Sequence, residues 1–203
     1  MKYIFDFDDV LFDTEKFKEH IFNFLEKVGV NKLKVKTYYR KDRESKSPFS
    51  LKKFLLDICA AEGIKRDQQE MYEDIMRTCQ IFINGDLREL ITRLGKENCF
   101  LVTDGLEEFQ KDKIKHSAVH RLFNQIYIVQ GSKKGPVEYV CGKYTDEPVI
   151  FFDNKKEYFN DLDKEKFPNL KTVEVPKGEK GFERIWAEVN KDLLPPSELK
   201  RRK

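Results

Sequence analysis

The sequence predicts an α/β protein with a doubly wound, parallel, five-stranded sheet and an all-helical segment inserted after the first strand. Three observations support this prediction. Short apolar runs typical of buried strands recur along the chain, at residues 3–5, 99–102, 125–129, 149–152 and 171–175. From residue 83 onward these runs alternate with helical patterns, as is typical of parallel strands joined by crossover helices. Between the first two runs, the sequence shows helical patterns and no strand.

The composition indicates a globular protein and limits the classes of partner that it could bind. The chain has 203 residues, of which 39% are hydrophobic, and this suits one large domain or a core that carries an insert. The net charge of +3, with both signs mixed along the chain, is too small by itself to indicate nucleic acid as a partner, and we do not expect one. No run approaches the roughly 20 apolar residues of a membrane span, and no secretory signal is visible. The sequence leaves the oligomeric state open.

The four cysteines form no CxxC pair, which makes structural zinc and a disulfide framework poor explanations for them. They are Cys59, Cys79, Cys99 and Cys141. We therefore expect a reduced protein with a cytoplasmic location.

The inserted segment, residues 15–82, is called the helical insert below. Its first helix follows Thr14 and ends near Gly29, its second begins after the capping residue Ser50, and its third begins near Asp67. Residues 31–46 are polar and basic with weak periodicity, and no helix is predicted there. We place the core at residues 1–14 and 83–192, and we expect the basic tail, residues 193–203, to be disordered.

Two aspartates follow the first predicted strand directly. Residues two apart on an extended chain face the same side, so Asp6 and Asp8 should point together at the carboxyl end of this strand. Two unpaired carboxylates at such a short separation repel each other, and a hard divalent cation such as Mg²⁺ would remove the repulsion. The alternative is that these residues only form a turn or cap a helix, which is a common use of aspartate.

Further polar residues follow other predicted strands. Thr103-Asp104-Gly105 ends the second strand, Lys133 precedes a helix after the third, and Asp153-Asn154 ends the fourth. The carboxyl ends of parallel strands meet at one edge of the sheet, where ligands of doubly wound folds bind. Carboxylates, a hydroxyl and a lysine gathered there suit phosphoryl transfer, which needs positioning and charge neutralisation.

With these residues in view, the chain resembles the haloacid dehalogenase superfamily, whose members are predominantly Mg²⁺-dependent phosphatases with a Rossmann-like core. The family's first motif, a strand followed by DxDx[T/V]L, is matched by residues 6–11. The second, an apolar strand ending in Ser or Thr, is matched by residues 100–103. The third, a lysine before a helix, is matched by Lys133, with Lys134 as the open alternative. The fourth is matched by residues 150–154, although Asn154 replaces the frequent second acid.

The resemblance implies covalent catalysis by an aspartate. Asp6 would attack phosphorus and form an aspartyl-phosphate, while Asp8 would protonate the leaving oxygen and later activate water. Mg²⁺ would be held by Asp6, the backbone carbonyl of Asp8 and Asp153, and the amide oxygen of Asn154 could coordinate it or hold a water.

The other matched residues would bind the phosphoryl group. Thr103 and the backbone amides of Asp104 and Gly105 would hold its oxygens, and Lys133 would neutralise its charge. The acid at Asp8 favours phosphoryl chemistry over dehalogenation, because dehalogenase members of the superfamily typically lack an acid at that position.

The helical insert resembles the family's helical cap, which closes over the site and selects the substrate. A compact cap suggests a small phosphorylated metabolite. The basic and aromatic stretch at residues 38–43, with Arg40 as the candidate ligand, could bind a second anionic group of that substrate. The alternative is that this stretch is only a solvated basic segment.

Two other functions fit the same residues. A phosphomutase of this fold would share every catalytic residue and differ only in the lifetime of the phosphoaspartate. A non-catalytic binding protein is the second alternative, for which Asn154 is the only hint. A receiver-type signalling domain fits less well, because its acceptor aspartate ends a later strand.

Overall fold

The structure is a computed structural model, which describes residues 1–44 and 47–191. Five parallel strands form one sheet in the order β3-β2-β1-β4-β5, so the predicted fold class is confirmed. The strands are β1 (Lys2–Phe5), β2 (Cys99–Asp104), β3 (Gln125–Val129), β4 (Val149–Asp153) and β5 (Leu170–Glu174). The predicted basic tail lies outside the described residues.

The sheet is covered on both faces, as expected for a doubly wound fold. The helices of the core are α5 (Gly85–Leu94), α6 (Glu107–His116), α7 (Lys134–Lys143) and α8 (Glu179–Val189), numbered after the four helices of the insert. Apolar residues of α5, α6 and α8 pack with Phe5 and Phe152 on one face. Those of α7 pack with Ile4 and Phe151 on the other face. This packing explains why β1 and β4 are apolar on both sides.

The helical insert contains four α-helices and a short 3₁₀ helix. They are α1 (Thr14–Lys27), α2 (Lys32–Glu44), α3 (Leu51–Glu62), α4 (Gln68–Met76) and the 3₁₀ helix Cys79–Phe82. Side chains of Asp13, Ser50 and Asp67 cap the first, third and fourth helices by accepting hydrogen bonds from their first turns. The division of the chain into core and insert at residues 14 and 83 stays our interpretation.

The sequence analysis predicted no element at α2, and the structure corrects this. Val35 is the only buried residue among the described residues 32–44, and most of the other side chains of this helix are polar or basic. Its contacts with α1 and α3 supply the stability that its own weak periodicity does not reveal.

The two chain segments that join the insert to the core run side by side. Phe12 and Ile83 form an antiparallel bridge. It is flanked by hydrogen bonds from the Asp13 N–H to the Phe82 carbonyl, at 2.8 Å, and from the Asn84 N–H to the Leu11 carbonyl, at 2.9 Å. We call this pair of segments, residues 11–13 and 82–84, the connecting ribbon. Among the described residues, no helix is both long and apolar enough to cross a membrane.

Candidate active site

The loop after β1 turns so that its aspartates face away from its phenylalanines. The Asp6 N–H donates to the Phe152 carbonyl at 2.9 Å, which extends the β1–β4 ladder by one residue. The Phe7 carbonyl then accepts bonds from the N–H groups of residues 11 and 12, and Asp9 takes a left-handed φ of 62°. Phe7 and Phe12 are buried with their ring centroids 5.0 Å apart, which anchors the loop.

Lys133 lies between two carboxylates that the sequence separates widely. Its Nζ is 2.7 Å from Asp6 Oδ1 and 2.6 Å from Asp153 Oδ2, and the lysine side chain is only 1% exposed. Lys134, the alternative left open by the sequence, is half exposed and lies 3.8 Å from Glu138 on the surface of α7. The structure therefore brings Lys133 to the site and does not bring Lys134 there.

The buried acids and lysine shift one another's protonation. Burial raises the pKa of Asp6 to about 7, against the lowering effect of Lys133, and the charges of Asp153 and Asp8 raise it further. Burial likewise raises the pKa of Asp153, and Lys133 opposes this. Burial lowers the pKa of Lys133, but the two acids outweigh it and the net shift is upward. One lysine faces two carboxylates, so the cluster has an excess of negative charge that a cation would balance.

Asp8 is held by three side chains that donate to its carboxylate. Lys113 Nζ lies 2.5 Å from Oδ1, Gln110 Nε2 lies 2.7 Å from Oδ2, and Thr14 Oγ1 lies 3.3 Å from Oδ1. Burial raises the pKa of Asp8, but the Lys113 charge and these hydrogen bonds outweigh it and lower the pKa overall. Asp8 is therefore a fixed carboxylate beside Asp6.

Sequence analysis missed Gln110 and Lys113. Both are buried, although they lie on α6, a helix that carries charged residues on most of its surface. Lys113 is accommodated because the rings of Phe7, Phe12 and Phe109 have their centroids 5.0–5.3 Å from its ammonium group. The available signal was the spacing of three residues between Gln110 and Lys113, which places both on one face of a helix.

The residues that follow β2 play different parts in the structure. Thr103 is fully buried and its Oγ1 has no hydrogen-bond partner in the described structure, so this hydroxyl is available to a ligand. The Asp104 carboxylate instead accepts bonds from the Tyr158 hydroxyl and the Gly131 N–H, both at 2.7 Å. Asp104 thereby joins the loops after β2, β3 and β4, and its side chain is not free to contact substrate.

The structure contradicts the role expected of the Gly105 amide. This N–H donates to the Val129 carbonyl at 2.9 Å, so it is not free to bind a phosphoryl oxygen. Gly105 has a φ of +151°, and a Cβ there would lie 2.8 Å from Gln110 Nε2. Glycine is required here because any side chain would displace the amide that holds Asp8.

The oxygen donors present fit a hard divalent cation. The carboxylates of Asp6 and Asp153 lie around Lys133, and the buried amide oxygen Oδ1 of Asn154 has no hydrogen-bond partner in the described part of the chain. Across residues 1–44 and 47–191, no three His, Cys, Asp or Glu side chains converge on one metal position. The cation would therefore need neutral oxygens, such as Asn154 Oδ1, in addition to the two carboxylates, and Mg²⁺ accepts such ligands.

The order and geometry of these residues agree with one protein family. The sequence profile of the haloacid dehalogenase-like hydrolases matches residues 3–166. The chain belongs to this family. No curated protein matches the sequence significantly.

Solved structures of haloacid dehalogenase-like hydrolases share the fold. A protein described as such a hydrolase, from Burkholderia xenovorans LB400, has 17% identity and a TM-score of 0.64, with 91% of this chain and 89% of that chain covered. The HAD-hydrolase YfnB from Bacillus subtilis, bound to magnesium, has 16% identity and a TM-score of 0.55, with 93% and 98% covered.

Other matches differ in their described activities. A protein described as a β-phosphoglucomutase, from Thermotoga maritima, has 16% identity and a TM-score of 0.53, with 96% and 100% covered. Dehalogenases also match. At these identities, the likeness shows the fold alone.

A cavity of about 680 Å³ lies above the site of this haloacid dehalogenase-like hydrolase, between the core and the insert. The insert contributes Tyr39, Arg43 and Phe49 to its walls. The structure does not bring Arg40 to this cavity, because the side chain of Arg40 is 73% exposed and lies 4.0 Å from Glu44. Of the basic residues in the stretch singled out from the sequence, Arg43 is the one that lines the cavity.

Proposed function

We propose that the protein is a Mg²⁺-dependent phosphatase, which hydrolyses a small phosphorylated metabolite through an aspartyl-phosphate intermediate on Asp6. The observation that carries the proposal is the second carboxylate, Asp8, which Lys113, Gln110 and Thr14 hold beside Asp6. An alcohol leaving group needs a proton donor, whereas a departing halide does not. A carboxylate fixed by three donors at this position supports phosphate ester cleavage over dehalogenation.

In the first half-reaction, a carboxylate oxygen of Asp6 forms a bond to phosphorus while the bond from phosphorus to the leaving oxygen breaks. Lys133 contacts Asp6 Oδ1, and the other carboxylate oxygen has no hydrogen-bond partner within the described residues. The approaching anionic phosphoryl group raises the pKa of Asp8, which takes up a proton and donates it to the leaving oxygen. Lys133 and the free hydroxyl of Thr103 bind phosphoryl oxygens.

In the second half-reaction, a water oxygen attacks phosphorus and gives its proton to Asp8, and the bond from phosphorus to Asp6 breaks. Inorganic phosphate leaves, and Asp8 releases its proton to solvent, which replaces the proton taken from solvent in the first half-reaction, so both aspartates return to their starting states. Mg²⁺, held by Asp6, Asp153, Asn154 and the Asp8 carbonyl, would offset the charge of the carboxylates and phosphoryl oxygens when bound.

The test is hydrolysis of p-nitrophenyl phosphate by the wild type with Mg²⁺, by the wild type with EDTA, and by two aspartate-to-asparagine variants. Asp6→Asn replaces the nucleophile by an isosteric amide and is expected to abolish turnover. Asp67→Asn is the matched control, because Asp67 only caps α4 and asparagine caps helices equally well. This control is expected to keep wild-type activity.

Two outcomes would overturn the proposal. The first is phosphate release that persists in Asp6→Asn or in EDTA. The second is release of chloride from 2-chloropropionate by a folded wild type that cleaves no phosphate ester. With a sugar phosphate as the substrate, formation of an isomeric ester in place of inorganic phosphate would identify the phosphomutase alternative.

A further inference from the structure

We propose that the leaving group of the substrate carries a second anionic group, a carboxylate or phosphate, which Arg43 binds at the insert side of the cavity. This inference rests on the proposed function, because it specifies the leaving group for the same site. The inference follows from the charged side chains that line the cavity, and from the positions of those that form no ion pair.

Most charged side chains around the cavity already have partners. Lys133 pairs with Asp6, Lys113 with Asp8, and Lys18 with Glu15, while Asp9 pairs with Lys177 and Asp104 is bound by Tyr158. Three of the cavity-lining cations, Lys18, Lys113 and Lys133, form ion pairs, whereas Arg43 and Lys155 form none among residues 1–44 and 47–191. A cavity that binds an anionic substrate is expected to keep its recognition cations unpaired.

Lys155 lies at the phosphoryl end of the cavity. Its Nζ is 5.6 Å from the centroid of the Tyr158 ring, and Lys133 lies 4.4 Å from the same ring. Its backbone N–H donates to Asp153 at 2.8 Å. Lys155 is therefore placed to bind the phosphoryl group that is transferred from the substrate.

Arg43 belongs to α2 and lies on the insert side of the cavity. It would therefore bind a different group of the substrate from the phosphoryl group that is transferred. Arg43 lines the cavity close to Tyr39. Burial raises the pKa of Tyr39; the charges of Arg43 and Lys18 oppose this shift, and those of Glu15 and Asp42 add to it. The Tyr39 hydroxyl has no hydrogen-bond partner in the described structure. A guanidinium with an adjacent free hydroxyl suits a planar carboxylate or a phosphate.

An aromatic wall connects the two ends of the cavity. The rings of Tyr39 and Phe49 are 5.3 Å apart, and those of Phe49 and Phe109 are 5.6 Å apart. All three residues line the cavity. The substrate class that fits is thus a phosphate monoester whose alcohol has an apolar spacer or ring and ends in an anionic group.

The test compares ω-carboxyalkyl phosphates of two to six carbons with alkyl phosphates of the same length, in the presence of Mg²⁺. The quantity measured is the ratio of kcat/KM between the two esters at each length. We expect the wild type to prefer the carboxylated ester by about tenfold or more at one spacer length. Arg43→Gln is expected to abolish this preference by lowering kcat/KM for the carboxylated ester towards that for the alkyl ester.

The matched control is Arg40→Gln, because Arg40 lies three residues away on the same helix, with its side chain exposed and outside the cavity. It is expected to retain the wild-type ratio. A ratio near one at every length in the wild type, or a preference that survives in Arg43→Gln, would overturn the inference. A preference lost equally in both variants would show a general effect of positive charge and would also overturn it.

Failure of the proposed function has a different signature, namely that neither ester is hydrolysed by the folded protein. The second-anion site is then judged from dissociation constants, measured by calorimetry with the same two esters. A preference of the wild type for the carboxylated ester that is lost in Arg43→Gln would still support the site. Equal affinities would overturn it.

Discussion

At the residue scale, the site is built around two buried lysines with different environments. Lys133 faces two carboxylates, so its neighbourhood keeps a negative charge. Lys113 faces one carboxylate, and its remaining surroundings include three aromatic rings. The first arrangement is suited to a further cation, while the second is electrically balanced and serves to fix Asp8.

Lys113→Met is expected to lower the free energy of unfolding by about 2–3 kcal/mol, because it leaves the Asp8 carboxylate with only neutral donors. The loss is smaller than for a fully buried pair, since the Asp8 side chain is 28% exposed. Urea denaturation of the wild type, Lys113→Met, Asp8→Asn and the double variant should give a coupling energy of about 1–2 kcal/mol.

The matched control is Lys111→Met, on the same helix, whose lysine forms an ion pair with Glu107 at the surface. Its expected cost is below about 0.5 kcal/mol. Additive losses in the double variant would show that Lys113 and Asp8 do not stabilise each other.

Glu188 supplies a pH-dependent contribution to stability away from the site. Burial raises the pKa of this carboxyl, but hydrogen bonds and charges of Lys171 and Lys191 outweigh it and lower the pKa from 4.5. A carboxyl with a lowered pKa in the folded state stabilises the protein above its unfolded pKa, and this stabilisation is lost as pH falls through the folded pKa. Both lysines are about half exposed, so solvent weakens the pairs.

Glu188→Gln is therefore expected to lower stability by about 1 kcal/mol at pH 7, and by progressively less below pH 4.5. Denaturation measured across this pH range checks the sign. Glu183→Gln, on the exposed side of the same helix, should cost less than about 0.5 kcal/mol at every pH. A cost of Glu188→Gln that does not change with pH would contradict the assignment.

Sequence alone predicted the polar residues that end strands, and Lys133 before α7, but it missed Gln110 and Lys113 on α6 and Tyr158 in the loop after β4. Asp6, Asp8, Thr103 and Asp153 follow apolar runs, so their position is visible without a structure. The helical spacing of Gln110 and Lys113 puts them on one face, but that this face is buried, and that Tyr158 reaches Asp104, depends on how α6 and the loop after β4 pack against the rest of the site. Arg40 and Arg43 cannot be distinguished from composition, because only the orientation of α2 decides which one reaches the cavity.

At the scale of single elements, α8 depends on a close approach of its backbone to the preceding loop. A Cβ at Gly181 would lie 2.2 Å from the Pro176 carbonyl oxygen and 3.0 Å from Val175 Cγ1. By contrast, a Cβ at Gly135 in α7 would meet no atom within 4 Å. Identical substitutions should therefore have opposite effects in the two helices.

Gly181→Ala is expected to destabilise the protein by about 2–3 kcal/mol, because backbone atoms must move to accept the methyl group. Gly135→Ala is expected to stabilise it by about 0.5–1 kcal/mol, because alanine favours the helix. Chemical denaturation of both variants measures the difference. Equal effects would show that the approach to Pro176 does not constrain α8.

Elements with strong apolar periodicity were predicted within a few residues of their observed ends, whereas α2 was not predicted. Its sequence is highly charged, and among the described residues 32–44 only Val35 is buried. Such a helix is stabilised mainly by its neighbours, and its own residues therefore carry little signal.

At the scale of the whole molecule, α6 joins the insert to the core. Tyr72 of α4 donates to Asp112 of α6 at 2.5 Å, and Lys52 of α3 contacts Glu108 of α6. Gln110 and Lys113 of the same helix donate hydrogen bonds to Asp8. The position of the insert and the geometry of Asp8 thus depend on one helix.

Tyr72→Phe keeps the buried ring and removes only its hydrogen bond to Asp112. We expect a stability loss of about 1–2 kcal/mol and faster amide hydrogen exchange in α3 and α4, with the central strands unchanged. The matched control is Tyr38→Phe, whose hydroxyl binds Glu62 within the insert, at 3.0 Å. Faster exchange in the control, or no change in Tyr72→Phe, would contradict a role for Tyr72 in holding the insert against the core.

The connecting ribbon has a consequence for how this chain can be rebuilt. Because its two segments are hydrogen-bonded side by side, the insert leaves and re-enters the core at almost the same point. Closing a loop across such adjacent ends costs little more entropy when the loop is longer, since the cost rises only with the logarithm of its length. The segment between residues 13 and 82 is accordingly one continuous excursion from the core, although its apolar residues share a buried cluster with Phe7 and Phe12. A tight turn, or a segment from another protein, could be spliced there without altering the connectivity of the sheet.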